Sequence, residues 1–316
     1  MNGWLLLLRG AMRLSVIDIG TNTVLLLVAD VDQQGSITPV FHGHDIVRLG
    51  AGVDEQRRIL PDALQRAEQT IGRFVNDAKS HKSERIIACG TSALRDAENR
   101  AEFVARIKGS TGVDIEILSG DEEAELTYLG AMGEFAQPGH NQKFVVLDIG
   151  GGSTEITAGT ETVIQSKQSY DMGCVRLTER FLKTSPPSSL GISQALQSMR
   201  KHLSPLNPLD VDARLIGVAG TLTTLGALDL NLPVYDPLKV SGHRLKRETV
   251  ESIFNMLRIK TKEEIEKIPQ ILQGRADILL AGILILIEVM KQLEAEEIIV
   301  SDRGLRYGVA RRALLR

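Results

Sequence analysis

This sequence is poor in cysteine, in long apolar runs and in net charge, and each shortage removes a class of protein. Its two cysteines, Cys89 and Cys174, are too few for a disulfide framework or a cysteine-rich metal site and are typical of a reducing compartment. The longest apolar run, residues 278–287, is bounded by Asp277 and Glu288. It is too short for the roughly 20 residues of a membrane-spanning helix and indicates a buried core helix. We therefore expect a cytoplasmic protein without a membrane partner.

The net charge of −3 gives no general reason to expect nucleic acid or an anionic membrane as a partner. Any phosphate site must then be a local basic region. With 316 residues, 43% hydrophobic and 24% charged, the chain is expected to form about two globular domains. The apolar run Trp4 to Leu8 is shorter than the ~7–15-residue apolar region of a signal peptide. Because Met12 directly precedes the first predicted strand, we interpret residues 1–11 as an extension upstream of the true start.

The sequence repeats several short motifs in the same order, about 130 residues apart. The repeated pairs are Val16-Ile17-Asp18-Ile19-Gly20 with Val146-Leu147-Asp148-Ile149-Gly150, Val47-Arg48-Leu49 with Val175-Arg176-Leu177, Ala63-Leu64-Gln65 with Ala195-Leu196-Gln197, and the segment around Gly90-Thr91 with that around Gly220-Thr221. One match could be chance, but four at nearly constant spacing predict two duplicated halves. Strands and helices alternate in both halves, and each half opens with a hairpin. The fold is therefore predicted to be α/β with mixed sheets.

Each half carries a turn of small residues that suits an anion. The turns are Gly20-Thr21-Asn22-Thr23 and Gly150-Gly151-Gly152-Ser153-Thr154. Glycine lets the backbone N–H groups approach a ligand closely, and the hydroxyl groups add further donors. Neither turn is a P-loop, because the Gly-Lys-Ser/Thr ending is missing. The alternative is a tight hairpin that merely needs glycine; the duplication, with an aspartate before each turn, favours phosphate binding.

Asp18 and Asp148 end the strands that precede these turns. A carboxylate next to phosphate oxygens is unfavourable unless a divalent cation lies between them, so the pair predicts a magnesium site. Glu155, just after the second turn, would add an oxygen to the same ion. The alternative is that both aspartates only accept hydrogen bonds from turn amides.

The motifs together resemble one family. They are Asp18 to Thr23, Gly90-Thr91-Ser92-Ala93-Leu94-Arg95, Ser119-Gly120-Asp121-Glu122-Glu123-Ala124, Asp148 to Glu155, Met172-Gly173-Cys174-Val175-Arg176-Leu177 and Gly217 to Thr221. In this combination and order the sequence is similar to the exopolyphosphatase/guanosine pentaphosphate phosphohydrolase family (Ppx/GppA), in a short two-domain form. The resemblance implies two duplicated ribonuclease-H-like domains of the actin-like ATPase superfamily with a cleft between them, at residues 13–125 plus 298–316 and at residues 126–297. It also implies hydrolysis of the terminal phosphoanhydride of inorganic polyphosphate, of guanosine pentaphosphate, or of both.

The resemblance also implies a role for each matching residue. Glu123 would be the general base that orients and deprotonates the attacking water, whereas Glu122 would be only a helix-start acid. Mg²⁺, or another divalent cation, would be bound by Asp18, Asp148 and Glu155. The phosphate ligands would be Gly20, Thr21, Asn22, Thr23, Arg95, Gly150, Gly151, Gly152, Ser153, Thr154, Gly220, Thr221 and Arg275. Arg48 and Arg176, each expected at a strand end, are weaker candidates, because such arginines often form surface ion pairs.

The sequence departs from the family pattern at two positions and leaves two other functions open. Glu125 and Leu25 stand where relatives place basic residues, which puts local affinity for a polyanion in doubt. The chain also ends after the second domain, so strong processivity is less expected. One alternative is an actin-like ATPase or sugar-kinase-type phosphotransferase, and the other is a sensor that binds nucleotide or polyphosphate without hydrolysis. Homodimers are the commonest oligomers, so a second copy is the one further partner that we consider.

Overall fold

The computed structural model describes residues 11–135, 142–203, 206–210 and 212–314. The chain divides into two compact units: the first runs up to Ser119 and resumes at Leu305, and the second spans Gly120 to Gly304. These boundaries differ by a few residues from those expected at 125/126 and 297/298. The difference arises because a helix begins at Gly120 and because the strand Glu297–Val300 pairs within the second sheet. The interpretation of residues 1–11 falls, apart from Ala11, outside the described residues.

The first unit is built around a five-stranded sheet. Its strands are β1 (Ala11–Ile19), β2 (Thr23–Asp32), β3 (Ile37–Ile46), β4 (Arg85–Gly90) and β5 (Ile115–Ile117). Its helices are α1 (Val53–Gln56), α2 (Pro61–Ser80), α3 (Ser92–Asp96), α4 (Arg100–Thr111) and, at the end of the chain, α13 (Leu305–Arg312). The strand order is β3-β2-β1-β4-β5; the first three strands form an antiparallel meander, and β4 and β5 add in parallel.

The helix α2 shows how apolar spacing produces the core of this unit. Pro61 occupies its first turn, where the missing N–H costs nothing. Leu64, Ile71 and Phe74 recur at helical spacing and are buried with the apolar residues of the central strands. The same apolar spacing in the sequence predicts a helix from Pro61 to Lys79, and the structure confirms it.

The second unit is built around a six-stranded sheet. Its strands are β6 (Lys143–Ile149), β7 (Thr154–Thr160), β8 (Ile164–Tyr170), β9 (Arg214–Val218), β10 (Arg244–Lys246) and β11 (Glu297–Val300). Its helices are α5 (Gly120–Phe135), α6 (Cys174–Phe181), α7 (Ser189–Leu203), α8 (Ala219–Asp229), α9 (Pro237–Val240), α10 (Arg247–Leu257), α11 (Lys262–Ile265) and α12 (Ala276–Gln292). The order is β10-β11-β9-β6-β7-β8, with β6-β7-β8 antiparallel and β9 and β11 parallel to β6.

Both sheets therefore contain a three-stranded antiparallel meander whose first strand is extended by two parallel strands; in the second sheet β10 is then added antiparallel to β11. This topology confirms the predicted α/β fold of two duplicated ribonuclease-H-like domains. The apolar run 278–287 forms the middle of α12, and its side chains, apart from the partly exposed Ile278, are buried in the core of the second unit. None of the helices in the described part of the chain is long and apolar enough to cross a membrane.

Three local expectations are wrong. The sequence predicts one helix through Ala93, Ala97 and Phe103, but that helix is interrupted at Ala97, whose backbone is extended. The sequence also predicts a turn at Gly220-Thr221 after the strand 215–218, but these residues lie in the first turn of α8. Arg176 lies not at a strand end but in α6, where it is buried.

Candidate phosphate site

The first turn connects β1 to β2 through a tight backbone contact. The N–H of Gly20 donates to the carbonyl of Thr23 at 3.0 Å, and a Cβ atom on Gly20 would lie 2.9 Å from that oxygen. The next carbonyls are used by the segment after β3: Thr21 accepts from the N–H of Gly50 at 2.7 Å, and Asn22 accepts from the N–H of Arg48 at 2.9 Å. The turn is thus held by backbone groups on both sides.

The second turn connects β6 to β7 with the same contacts. The N–H of Gly150 donates to the carbonyl of Ser153 at 3.0 Å, and a Cβ on Gly150 would lie 3.0 Å from that oxygen. The carbonyl of Gly151 accepts from the N–H of Val175 at 2.8 Å. A side chain on Gly173, which precedes α6, would overlap the turn backbone. Glycine is therefore required there for the start of α6 to pack on the turn.

In both units the backbone N–H groups of the Val and Arg of the Val-Arg-Leu segment donate to one turn carbonyl, which supports the duplication. The acceptor is Asn22 in the first turn and Gly151, one position earlier, in the second. The sheet registers also correct one predicted equivalence. Asp18 lies beside Cys89 on β4, whereas Asp148 lies beside Val218 on β9. Gly90 is therefore equivalent to Ala219, and the equivalent of Gly220 is Thr91.

Three carboxylates come together beside the second turn. Asp148 at the end of β6 lies directly opposite Glu155 on β7. Glu123 on α5 is buried, while its neighbours Asp121 and Glu122 are exposed. Burial, followed by the charges of Glu123 and Asp148, raises the pKa of Glu155 well above its usual value. The three carboxyl groups therefore lie close enough for their charges to affect one another.

Two hydroxyl groups orient these acids. Ser169 on β8 donates to Oε1 of Glu155 at 2.7 Å, and Thr127 on α5 donates to Oδ2 of Asp148 at 3.3 Å. The other carboxylate oxygen of Glu155, Oε2, is buried without a hydrogen-bond donor. A buried, raised-pKa carboxylate oxygen with no donor is suited to a cation.

The residues fit a magnesium ion in chemistry, although the described residues contain no ready-made group of three or more metal-ligating side chains. Mg²⁺ prefers oxygen ligands and is usually bound by one or two carboxylates, with waters and substrate phosphates completing its coordination. Asp148 and Glu155 supply carboxylates of that kind. Asp18, the third predicted ligand, lies at the end of β1 in the first unit and pairs across its hairpin with Leu25.

Arg275 and the first turn of α8 form the other part of the second-unit site. Arg275 directly precedes α12, and a Cβ on Gly220 would overlap its guanidinium group. Burial lowers the pKa of Arg275. Thr221 is buried against Gly282 of α12. The absence of a side chain at Gly220 thus sets the position of the guanidinium group.

The remaining arginines are tied to backbone carbonyls. Arg95 on α3 donates from Nη1 to the carbonyl of Leu118 at 3.0 Å, within the first unit. Arg176 donates from Nε to the carbonyl of Gly152 at 2.9 Å. Arg176 therefore stabilises the second turn by a hydrogen bond to its backbone, a contact that the sequence did not predict.

Two residues of β8 were also missed. Besides Ser169, Lys167 contacts the site by pairing with Glu125, with Nζ 2.9 Å from Oε2. The pairing supplies a cation beside the acid that departs from the family pattern. A Cβ on Gly120 would lie 2.6 Å from Cβ of Ser169, so the start of α5 packs closely on this strand. Between Ile164 and Tyr170 the sequence of β8 is polar throughout, so it carries no signal that marks a site.

Comparison with known proteins gives a consistent result. The model of the Ppx/GppA phosphatase family matches residues 27–316. Exopolyphosphatase 2 of Mycobacterium tuberculosis is 35% identical over 94% of this chain and 97% of its own length. Guanosine-5'-triphosphate,3'-diphosphate pyrophosphatase of Vibrio atlanticus is 28% identical over 94% of this chain and 58% of its own length. The crystal structure of the Aquifex aeolicus member of the Ppx/GppA family is 32% identical and superposes with a TM-score of 0.81 over 96% of this chain and 98% of that chain. Because the family model matches most of this chain, the chain belongs to the Ppx/GppA phosphatase family.

Proposed function

We propose that this protein is an exopolyphosphatase that releases terminal orthophosphate from inorganic polyphosphate in the presence of Mg²⁺. The observation that carries the proposal is the cluster of Glu123, Asp148 and Glu155 beside the second glycine turn. Buried carboxyl groups next to a turn suited to phosphate are explained by a cation that binds both the carboxylates and the phosphate. The similarity to an exopolyphosphatase over nearly the whole chain supports the same substrate.

In this proposal Glu123 is the general base. It accepts a proton from a water molecule whose oxygen attacks the terminal phosphorus. The bond from that phosphorus to the bridging oxygen breaks, the shortened polyphosphate leaves with the electron pair on that oxygen, and orthophosphate is released. The ion bound by Asp148 and Glu155 would neutralise charge on the phosphate oxygens. The backbone of Gly150 to Thr154, the guanidinium group of Arg275 and the first turn of α8 would orient the terminal group.

We propose that the first unit supplies a second set of ligands for the phosphate and the cation. The turn Gly20 to Thr23 would donate backbone and hydroxyl hydrogen bonds to phosphate, Asp18 would bind the cation, and Arg95 would contact non-bridging oxygens. These roles are proposals that rest on the equivalence of the two turns, each of which closes with the same N–H to carbonyl hydrogen bond at 3.0 Å.

Guanosine pentaphosphate is proposed as a second substrate. The reason is the similarity to the Vibrio atlanticus enzyme, which is named for guanosine-5'-triphosphate,3'-diphosphate. Hydrolysis of its terminal 5'-phosphate requires the same attack on a phosphoanhydride. A phosphate-release assay with polyphosphate, guanosine pentaphosphate and ATP side by side tests both substrates. Turnover of ATP alone would overturn the proposal in favour of an ATPase or phosphotransferase.

The base is tested by replacing Glu123 and its neighbour separately. We expect Glu123→Ala to lower kcat for polyphosphate about 10²–10⁴-fold, the usual contribution of a positioned base, with substrate binding retained. Glu122→Ala is the matched control, because Glu122 is exposed on the same helical turn, and it should leave kcat nearly unchanged. Equal hydrolysis by the wild type and Glu123→Ala would show that Glu123 is not the base.

A further inference from the structure

The segment between α8 and β10 exposes apolar side chains although its backbone is well anchored. Val234 is 76% exposed and Leu238 is 90% exposed. The segment is nevertheless held by hydrogen bonds: the N–H of Leu238 donates to Oδ1 of Asp236 at 3.1 Å, and the N–H of Gly242 donates to the carbonyl of Val300 at 2.8 Å. Polar contacts therefore fix a surface whose apolar side chains are left without a partner inside the described unit.

Tyr235 lies in this segment and is fixed at its hydroxyl end. Its hydroxyl donates to Oδ1 of Asp302 at 2.7 Å, and the backbone N–H of Asp302 donates in turn to Oγ of Ser241 at 3.2 Å. Burial of the hydroxyl and the charge of Asp302 raise the pKa of Tyr235, so the side chain is neutral at physiological pH. The residue as a whole is still 38% exposed, which leaves part of the ring available.

This ring lies close to the proposed phosphate ligands. Asp302, which accepts from the Tyr235 hydroxyl, directly follows Ser301, whose backbone N–H donates at 2.9 Å to the carbonyl of Gly217, three residues before Gly220. Gly220 contacts the guanidinium group of Arg275. One chain of contacts thus connects the exposed ring to the arginine that the proposed function places on phosphate.

We infer that Tyr235, together with Val234 and Leu238, forms a contact surface for the base of a guanine nucleotide whose phosphates lie towards Arg275. Inorganic polyphosphate has no apolar part and cannot use such a surface, whereas a purine base stacks on an aromatic ring and on apolar side chains. The surface would therefore determine how well the site accepts guanosine pentaphosphate. This inference rests on the proposed function for the position of the phosphates.

The test compares two substrates in variants of Tyr235. Tyr235→Ala should raise KM for guanosine pentaphosphate about tenfold or more, as expected for loss of one base–aromatic stack, and leave KM for polyphosphate unchanged. Tyr235→Phe keeps the ring and should retain most of the affinity. A rise in KM for both substrates would show that Tyr235 acts through Arg275, and no change for either would show that the ring is not used; either result would overturn the inference.

Two exposed leucines extend the test: Leu238 belongs to the proposed surface, and Leu190 is the control. Because both side chains are exposed, replacing them should not affect folding. Leu238→Ser should raise KM for the nucleotide severalfold, whereas Leu190→Ser, on α7 and 68% exposed, should change neither substrate. Calorimetric titration of guanosine pentaphosphate into the Glu123→Ala protein, with and without Tyr235→Ala, measures binding without turnover. If the wild type hydrolyses polyphosphate but the nucleotide does not bind, this inference fails while the proposed function stands. If Tyr235 governs nucleotide binding but polyphosphate is not hydrolysed, the proposed substrate fails and the base surface stands.

Discussion

The two glycine turns share one backbone arrangement but differ at the residue that lies across the hairpin from the strand-end aspartate. Opposite Asp18 this residue is Leu25, and opposite Asp148 it is Glu155. Both turns close with the same N–H to carbonyl contact at 3.0 Å, and both are held by a Val-Arg-Leu segment. The duplication has kept the backbone and changed the side chains.

This difference separates the features that would bind phosphate from those that would take part in catalysis. Backbone N–H groups and glycine are enough to bind an anion from one side. The acids that we propose to bind a cation and activate water lie in the second unit, where Glu123 on α5 joins Asp148 and Glu155. We therefore expect the first turn to act mainly in binding and the second in both binding and catalysis.

The sharpest test of this division replaces the two cross-strand residues by the same amide. Glu155→Gln should lower kcat for polyphosphate by at least about 100-fold, because one of the proposed cation ligands is lost. Leu25→Gln should change kcat less than about threefold, because Leu25 has no charge to lose. Steady-state kinetics at several Mg²⁺ concentrations measure both, and similar losses in the two variants would remove the asymmetry.

Glu155→Gln should also stabilise the protein when no divalent cation is present. The folded-state pKa of Glu155 is raised, mainly by burial, so keeping this carboxyl charged opposes folding. The penalty is absent below the ordinary carboxyl pKa, where the group is neutral in both states, and it grows as the pH rises towards the folded-state pKa. Near neutral pH, with a chelator present, we expect Tm to rise about 2–4 °C, the shift that 1 kcal/mol produces in a unit of this size. If the difference in Tm between Glu155→Gln and the wild type is the same at acidic and at neutral pH, burial of a charged carboxylate is not the cause.

A second comparison concerns the residues that follow the parallel strands, Gly220 in the second unit and Thr91 in the first. Gly220→Ala should raise KM for polyphosphate about 10–100-fold, because the methyl group would displace the Arg275 guanidinium and weaken a charge-assisted hydrogen bond. Thr91→Ala should change KM little. If Gly220→Ala leaves KM unchanged, Arg275 does not contact the substrate from its present position.

Most of the fold could be predicted from the sequence, because the patterns that specify its strands, turns and helices are local. Apolar runs ending in Asp18 and Asp148, followed by small residues, predict hairpins, and the spacing of apolar residues from Pro61 onwards predicts α2. The repeat at nearly constant spacing predicted that the two sheets share one plan. These patterns depend on neighbours in the sequence, which the chain itself displays.

The parts of the site that were missed depend on contacts between distant segments. Ser169 contacts Glu155 because β8 pairs with β7, and nothing in the residues around Ser169 marks a hydrogen bond to an acid. Arg176 looked like a surface residue, but it is buried because α6 begins against the second turn. Gly220 was aligned one residue out of register, since only the sheet pairing shows that Thr91 is its equivalent.

The backbone equivalence of the turns is tested by a matched pair of glycine substitutions. Gly20→Ala and Gly150→Ala each place a methyl group 2.9–3.0 Å from a carbonyl oxygen of the same turn. Each should lower the free energy of unfolding by about 1–3 kcal/mol, the usual cost of overpacking. Urea denaturation measures the loss, and a large difference between the two variants would show that the turns are not equivalent in energy.

The smallest expected effect comes from returning a cation to the first turn. Leu25 is partly exposed, so Leu25→Arg can extend its guanidinium group into solvent without filling the core. The added charge should lower KM for polyphosphate about two- to fivefold at low ionic strength, and this gain should disappear at high salt as the charge is screened. Leu25→Gln, which is polar but uncharged, is the control. A decrease in KM that persists at high salt would indicate a direct hydrogen bond to phosphate, and the first turn would then contribute more to recognition than its backbone alone.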